Sequence, residues 1–177
     1  MTLDGYCDHT AMNADDELLQ HYADLLHSTG AVLYGRVTYH LMEYWLDILK
    51  NPTGNGAMDE FARAIDVVPK IVFSKTLKNT EWASAKLATG SLEEESVKLK
   101  QKPGKDVLVG SPGLIAALTN LDLIDEYQLC IHPVIAGNGL PLFKNISHAI
   151  KLSFIKTKIF HCGAVVVYYK RIKLEKR

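Results

Sequence analysis

Three short segments set a small or hydroxyl residue beside a cation, or open a helix with glycine, in a way that suits an anionic ligand. They are Tyr34-Gly35-Arg36, Phe73-Ser74-Lys75 and Val109-Gly110-Ser111-Pro112-Gly113, and each follows a brief apolar run. Glycine there lets the backbone approach a phosphate, and the free N–H groups of a helix starting at that point offer donors and positive potential. Arg36 adds a planar fork of donors, and Lys75 a point charge able to meet a 2′-phosphate. Three such ends side by side would suit a pyridine dinucleotide. Each alone is equally a tight turn, because glycine often follows a strand without binding anything. The chain has neither a GxGxxG fingerprint nor a GxxxxGK[ST] loop.

Other chemistries find less support. The histidines (His9, His21, His27, His40, His132, His148, His161) form no HxxxH or HxH pair, so no metal is expected. Cys7, Cys130 and Cys162 are far apart and make no CxxC, which fits reduced thiols rather than a disulfide framework. No hydroxyl or thiol is grouped with a histidine as a covalent nucleophile. The 20 Lys and Arg balance the 20 Asp and Glu, arguing against nucleic acid as a partner. No apolar run approaches the roughly 20 residues of a membrane span, and Met1-Thr2-Leu3-Asp4-Gly5 lacks a cationic, apolar leader. A cytoplasmic setting is expected. Lys170–Arg177, with five cations and one carboxylate, reads as a solvated tail.

The elements that must position these residues follow from periodicity. Asn13 is expected to cap a helix carrying Leu18, Leu19, Tyr22, Leu25 and Leu26 on one stripe, stopped by Gly30. Ala31–Tyr34 predicts a buried strand, and a helix from about Thr38 places Tyr39, Met42, Trp45, Leu46 and Leu49 inward. Asn51–Gly56 predicts a loop, Met58–Ile65 a short helix, and Lys70–Phe73 a strand. Ser91-Leu92-Glu93-Glu94 has capping-box spacing for a helix ending at Pro103-Gly104. Asp106–Val109 is a strand leading into a helix through Leu121. Strands follow at Tyr127–Val134, Leu152–Phe160 and Ala164–Tyr169, the last two joined by a turn at Gly163. Alternating strands and helices with a β-rich end predict one α/β domain, a mixed sheet flanked by helices and ending in an antiparallel hairpin.

The chain resembles the dihydrofolate reductase-like family, in the branch related to the C-terminal reductase domain of the bacterial riboflavin deaminase-reductase. The segments carrying the likeness include Leu3-Asp4-Gly5-Tyr6, Leu33-Tyr34-Gly35-Arg36-Val37-Thr38-Tyr39, Val72-Phe73-Ser74-Lys75-Thr76-Leu77 and Val109-Gly110-Ser111. Leu123–Tyr127, His132-Pro133-Val134 and Gly137–Phe143 continue it over almost the whole chain.

The resemblance implies that residues 1–177 form a single dihydrofolate reductase-like domain, with the family's first strand, before this Asp-Gly, absent. It further implies a cytoplasmic homodimer with NADPH as hydride donor. The acceptor would be a small pyrimidine- or pterin-like molecule, as in 5-amino-6-(5-phosphoribosylamino)uracil reduction for riboflavin biosynthesis. By it, Gly35, Arg36 and Thr38 hold cofactor phosphates, and Ser74, Lys75 and Thr76 meet the adenosine-side phosphate. Gly110, Ser111, Pro112, Gly113, Leu114 and Ile115 cradle the pyrophosphate, while Asp4 and Glu126 face the acceptor as catalytic carboxylates. Two alternatives stay open: a non-catalytic nucleotide-binding module, and a true dihydrofolate reductase. The latter's first-helix carboxylate is replaced here by Leu19 and Gln20, with Asp15 and Asp16 about a turn earlier.

Overall fold

The structure is a computed structural model describing residues 1–10 and 12–172, so residues 173–177 of the basic tail lie outside the described residues. Its residues gather into a contiguous unit, Asp16–Leu114, and a split unit built from Met1–Asp15 and Ile115–Arg177. The mixed α/β architecture read from the sequence is present, parallel strands in the first unit and antiparallel ones in the second.

The contiguous unit holds α1 (Asp16–Ser28), β1 (Ala31–Gly35), α2 (Arg36–Met42), α3 (Tyr44–Lys50) and α4 (Gly56–Val67). It continues through β2 (Lys70–Phe73), β3 (Ala85–Leu87), α5 (Leu92–Gln101), β4 (Val107–Val109) and the start of α6 (Pro112–Asn120). Its sheet runs β3-β2-β1-β4 with every pairing parallel. Val32, Tyr34 and Val72 from the strands meet Ala23 and Leu26 of α1, Ala64 and Ile65 of α4, and Tyr39 of α2. Each large apolar side chain buried there contributes roughly 1.5–3 kcal/mol.

Several boundaries differ from expectation. Asn13 does not cap α1, which begins at Asp16, residues 12–15 lying in no helix or strand. The acids Asp16 and Glu17 fill its first turn, where they complement the helix dipole. The helix expected from Thr38 starts at Arg36, directly on Gly35, and breaks at Glu43, whose N–H is shared between Tyr39 O and His40 O at 3.2 Å. Asn55 caps α4, accepting from Met58 N at 2.9 Å, so that helix begins two residues early. The capping box at Ser91 forms in both directions.

Lys70, the first residue of β2, is fully buried. Its Nζ donates to Asp66 O at 3.2 Å, Val68 O at 3.0 Å and Ser84 Oγ at 2.8 Å, and lies 4.4 Å from the Trp82 ring centroid. All three ammonium protons are thereby used, two of them on carbonyls at the C-terminal end of α4. Burial pushes the amine down to about 8.

The split unit carries β5 (Glu126–Ile131), β6 (Leu152–Ile159) and β7 (Val165–Arg171) in the antiparallel order β5-β7-β6. Gly163, at φ +82°, turns the β6–β7 hairpin, in a conformation that favours glycine. Alongside β5, Thr2 bridges His132 in parallel and Tyr6 bridges Pro141 in antiparallel sense. No helix among the described residues is long and apolar enough to cross a membrane.

Candidate functional site

The carboxyl ends of β1, β2 and β4 share one edge of the parallel sheet. Gly35 is in register with Phe73, and Leu33 with Val109, which brings Gly35, Ser74 and Gly110 to that edge. From β1 the chain builds β2 and β3 on one side and then adds β4 on the other, so the strand order reverses between β1 and β4. Ligands of open α/β sheets bind at such a reversal, outside the strand ends. Here the junction is stitched by hydrogen bonds. Gly110 N–H donates to Leu33 O at 3.2 Å, and Gly35 N–H donates to Ser111 Oγ at 2.8 Å. Ser111 is buried and fixes the end of β1 to the turn that opens α6.

The glycines at this edge exist for different reasons. A Cβ on Gly110 would stand 2.6 Å from Cε1 of Tyr34, so glycine there makes room for a buried ring. A Cβ on Gly35 would meet Ser111 and Leu114 at 3.7–3.9 Å, ordinary van der Waals contact, and one on Gly113 would meet nothing within 4 Å. Neither Gly35 nor Gly113 is required by neighbouring protein atoms, and Gly113 leaves open space beside its backbone. Tyr34 is the residue that pattern reading missed. As part of a strand it reads only as core, and its role behind Gly110 depends on a ring crossing between strands.

Around this edge stand polar groups with few internal obligations. Arg36 and Lys75 are exposed and make no ion pair among the described residues. Gly35, preceding α2, supplies no side-chain cap to that helix. The N–H groups of Gly113 and Leu114 belong to the first turn of α6, which lacks intrahelical acceptors. Ser74 is differently used: its Oγ accepts from Thr76 N at 3.1 Å and Leu77 N at 2.9 Å, shaping the loop that presents Lys75 and Thr76. The arrangement can bind an extended polyanion through backbone donors and two exposed cations.

The two carboxylates singled out in the sequence belong to the split unit. Asp4 accepts from Thr2 Oγ1 at 2.6 Å, Ala136 N at 3.1 Å and Gly137 N at 2.7 Å. These bonds, the Thr2 hydroxyl foremost, pull its pKa down to about 2, so it is ionised at neutral pH. It tethers the 136–137 backbone to the N-terminal turn, where Gly5 takes φ +89°. Glu126 is exposed at the first position of β5, and its Oε1 accepts from Gln128 Nε2 at 3.3 Å. In α1, Gln20 bonds Asp24 and Asp16 accepts from Asn55 Nδ2, while Asp15, which precedes the helix, accepts from Cys162 N.

Comparison with known proteins identifies the chain's relatives. The chain is 32% identical over 173 residues to the uncharacterized protein YyaP of Bacillus subtilis (strain 168), covering 96% of this chain and 90% of that one. In structure it is similar to a Shewanella sp. PV-4 protein ascribed to riboflavin biosynthesis, with TM-score 0.71 and 19% identity over 97% of this chain and 95% of the other. It is also similar to the Thermotoga maritima diaminohydroxyphosphoribosylaminopyrimidine deaminase/5-amino-6-(5-phosphoribosylamino)uracil reductase, with TM-score 0.61 and 19% identity. That match covers 97% of this chain and 54% of the larger protein. With the RibD C-terminal domain model matching residues 1–168, the chain belongs to the RibD C-terminal domain family.

Proposed function

We propose that residues 1–177 work as an NADPH-dependent reductase of a small heterocycle of pyrimidine or pterin type. The observation that carries this reading is the stitched end of β1 and β4, with open space beside Gly113 and with Arg36 and Lys75, in no ion pair among the described residues, at the same edge. A dinucleotide phosphate suits these groups. Gly35, Arg36 and Thr38 would take phosphate oxygens at the start of α2, and Gly110 to Ile115 the pyrophosphate. Ser74 would shape the loop from which Lys75 and Thr76 reach an adenosine-side 2′-phosphate. The Thermotoga relative, a uracil reductase by its description, supports the pyrimidine-like acceptor.

When bound, NADPH supplies a hydride from nicotinamide C4 to a C=N or C=O carbon. The chain's own part is to fix both partners. Asp4 holds no proton at neutral pH, so it serves as an acceptor for a ring N–H or amino group, and the balancing proton is drawn from water. The protein is further proposed to be cytoplasmic and homodimeric. The engagement of Asp4 by Thr2, Ala136 and Gly137 favours a second reading, a dinucleotide-binding module without turnover.

Calorimetric titration with NADPH tests the site, and loss of absorbance at the nicotinamide band with candidate acceptors separates the two readings. Arg36→Ala should weaken NADPH binding by about 1.5–3 kcal/mol through loss of a charge-assisted hydrogen bond. Equal affinity of mutant and wild type would refute the placement.

A further inference from the structure

We infer that Asn138 is a site of spontaneous deamidation, and that the carboxylate formed there loosens the turn holding Asp4. The chain contains two Asn-Gly pairs, Asn55-Gly56 and Asn138-Gly139. At such a pair the glycine nitrogen can attack the side-chain amide of the asparagine. A bond forms between that nitrogen and Cγ, the bond from Cγ to the amide nitrogen breaks, and ammonia leaves with the glycine N–H proton. Water then opens either carbonyl of the resulting succinimide ring, giving aspartate or isoaspartate. The net reaction takes up one water, releases one ammonia and leaves a new carboxylate. Glycine favours the attack because no Cβ hinders its nitrogen and its backbone turns freely.

The two pairs are held differently. Asn55 is the N-cap of α4, its Oδ1 accepting from Met58 N at 2.9 Å and its Nδ2 donating to Asp16 Oδ1 at 2.9 Å. Both ends of its amide are engaged, and Gly56 is already the first residue of the helix. Asn138 and Gly139 are exposed and lie in no helix or strand. Neither the Asn138 side chain nor the Gly139 N–H makes a hydrogen bond among the described residues. Gly137 and Gly139 flank the asparagine at φ +75° and φ +136°. A side chain at position 139 would be strained, so the backbone itself demands glycine there and keeps the reactive pair.

What the modification does follows from the bonds on either side of it. Before Asn138, the N–H groups of Ala136 and Gly137 donate to Asp4 at 3.1 and 2.7 Å. After it, Leu140 O accepts from Cys7 N at 2.7 Å, and Leu142 N donates to Gly5 O at 3.0 Å. A carboxylate at position 138 brings a second negative charge to the segment that holds the Asp4 carboxylate, and like charges repel. Isoaspartate further adds a methylene to the main chain between the two sets of bonds, which changes the spacing they require. Either product therefore slackens the hold of residues 136–142 on residues 4–7, and does so with the age of the molecule. This inference does not depend on the reductase reading.

Peptide mapping by mass spectrometry of the full chain, aged at mildly alkaline pH, tests it. In urea, where neither asparagine is held, both Asn-Gly pairs should convert at similar rates. In native buffer Asn138 should keep that rate, while Asn55 slows about tenfold or more because two hydrogen bonds must break first. Hydrogen exchange at Ala136 and Gly137 should quicken as the converted fraction grows. Asn138→Asp should show the quickened exchange from the start, and Asn138→Ser should show neither the mass change at this position nor the quickening with age. Native protection of Asn138 equal to that of Asn55 would overturn the assignment. Exchange unchanged both in aged wild type and in Asn138→Asp would overturn the loosening.

Discussion

Alanine at Gly110 and alanine at Gly35 add the same methyl group to the same sheet edge, yet they should have opposite consequences. At Gly110 the new Cβ would sit 2.6 Å from Cε1 and 3.2 Å from Cδ1 of Tyr34, a ring buried in the core with little room to retreat. Overpacking of this kind costs about 1–3 kcal/mol. For a chain of this length that lowers the melting midpoint by roughly 3–10 °C, which scanning calorimetry or circular dichroism reads directly. At Gly35 the backbone is already extended, φ −82° and ψ 160°, and the nearest atoms lie at 3.7–3.9 Å. Stability should then hold or rise by up to about 1 kcal/mol, because alanine narrows the unfolded ensemble. Affinity for NADPH should nonetheless fall about tenfold or more if a phosphate rests on that backbone, since the methyl occupies its place. Both measurements are made on each variant. The reasoning fails if Gly35→Ala binds NADPH as wild type does, or if Gly110→Ala melts unchanged.

Asp4 stabilises the fold above its ordinary value near 3.9, and that contribution is lost as pH falls toward 2. Asp4→Asn should accordingly flatten the acid limb of the stability profile and speed hydrogen exchange at Ala136 and Gly137; unchanged exchange would contradict the tether. Lys70 works in the other direction. Its proton is held more weakly in the folded chain than in the unfolded one, so its burial penalty is full below about pH 8 and is relieved up to the ordinary 10.5. Urea denaturation should show wild type gaining up to about 3 kcal/mol across that window from this residue, and Lys70→Met should abolish that gain. Dihydrofolate should be a poor acceptor, slower by about 10²–10⁴, because α1 offers Leu19 and Gln20 where a carboxylate is needed, and Asp15 and Asp16 are bonded elsewhere. Turnover of several per second at micromolar KM, typical of an efficient enzyme, would overturn this.

Local chemistry made much of the fold legible. The apolar runs at Ala31–Tyr34 and Lys70–Phe73 announced strands, Ser91 and Glu94 announced a helix start, and Gly163 announced the hairpin. What escaped was set by partners distant in sequence. β3 is three residues, Ala85-Lys86-Leu87, too short for periodicity, and exists because β2 lies beside it. The break at Glu43 depends on a shared hydrogen bond rather than on a breaker residue. At the candidate site, the residue types at Gly35, Arg36 and Lys75 were visible, but the distinction between Gly110 and Gly35 requires knowing where the Tyr34 ring lies. Asp4 likewise read as a turn residue or a catalytic group, while its amide partners at Ala136 and Gly137 are more than 130 positions away.

The division between a contiguous unit and a split one bears on the order in which the chain can acquire structure. Asp16–Leu114 contains every strand of the parallel sheet, so a ribosome can release all of its partners before the antiparallel strands exist. Met1–Asp15 emerges well before its partners and must wait for them, because Thr2 finds His132, and Asp4 finds Gly137, only after the intervening chain has been made. Closing so long a loop is slow when the segment between is disordered, and easier once it has condensed. At elongation rates of about 5–20 residues per second, the N-terminal turn spends several seconds without its hydrogen-bond partners. Over that interval the thiol of Cys7, half-buried once folded, is open to oxidants, so this segment is secured only after strands made long after it.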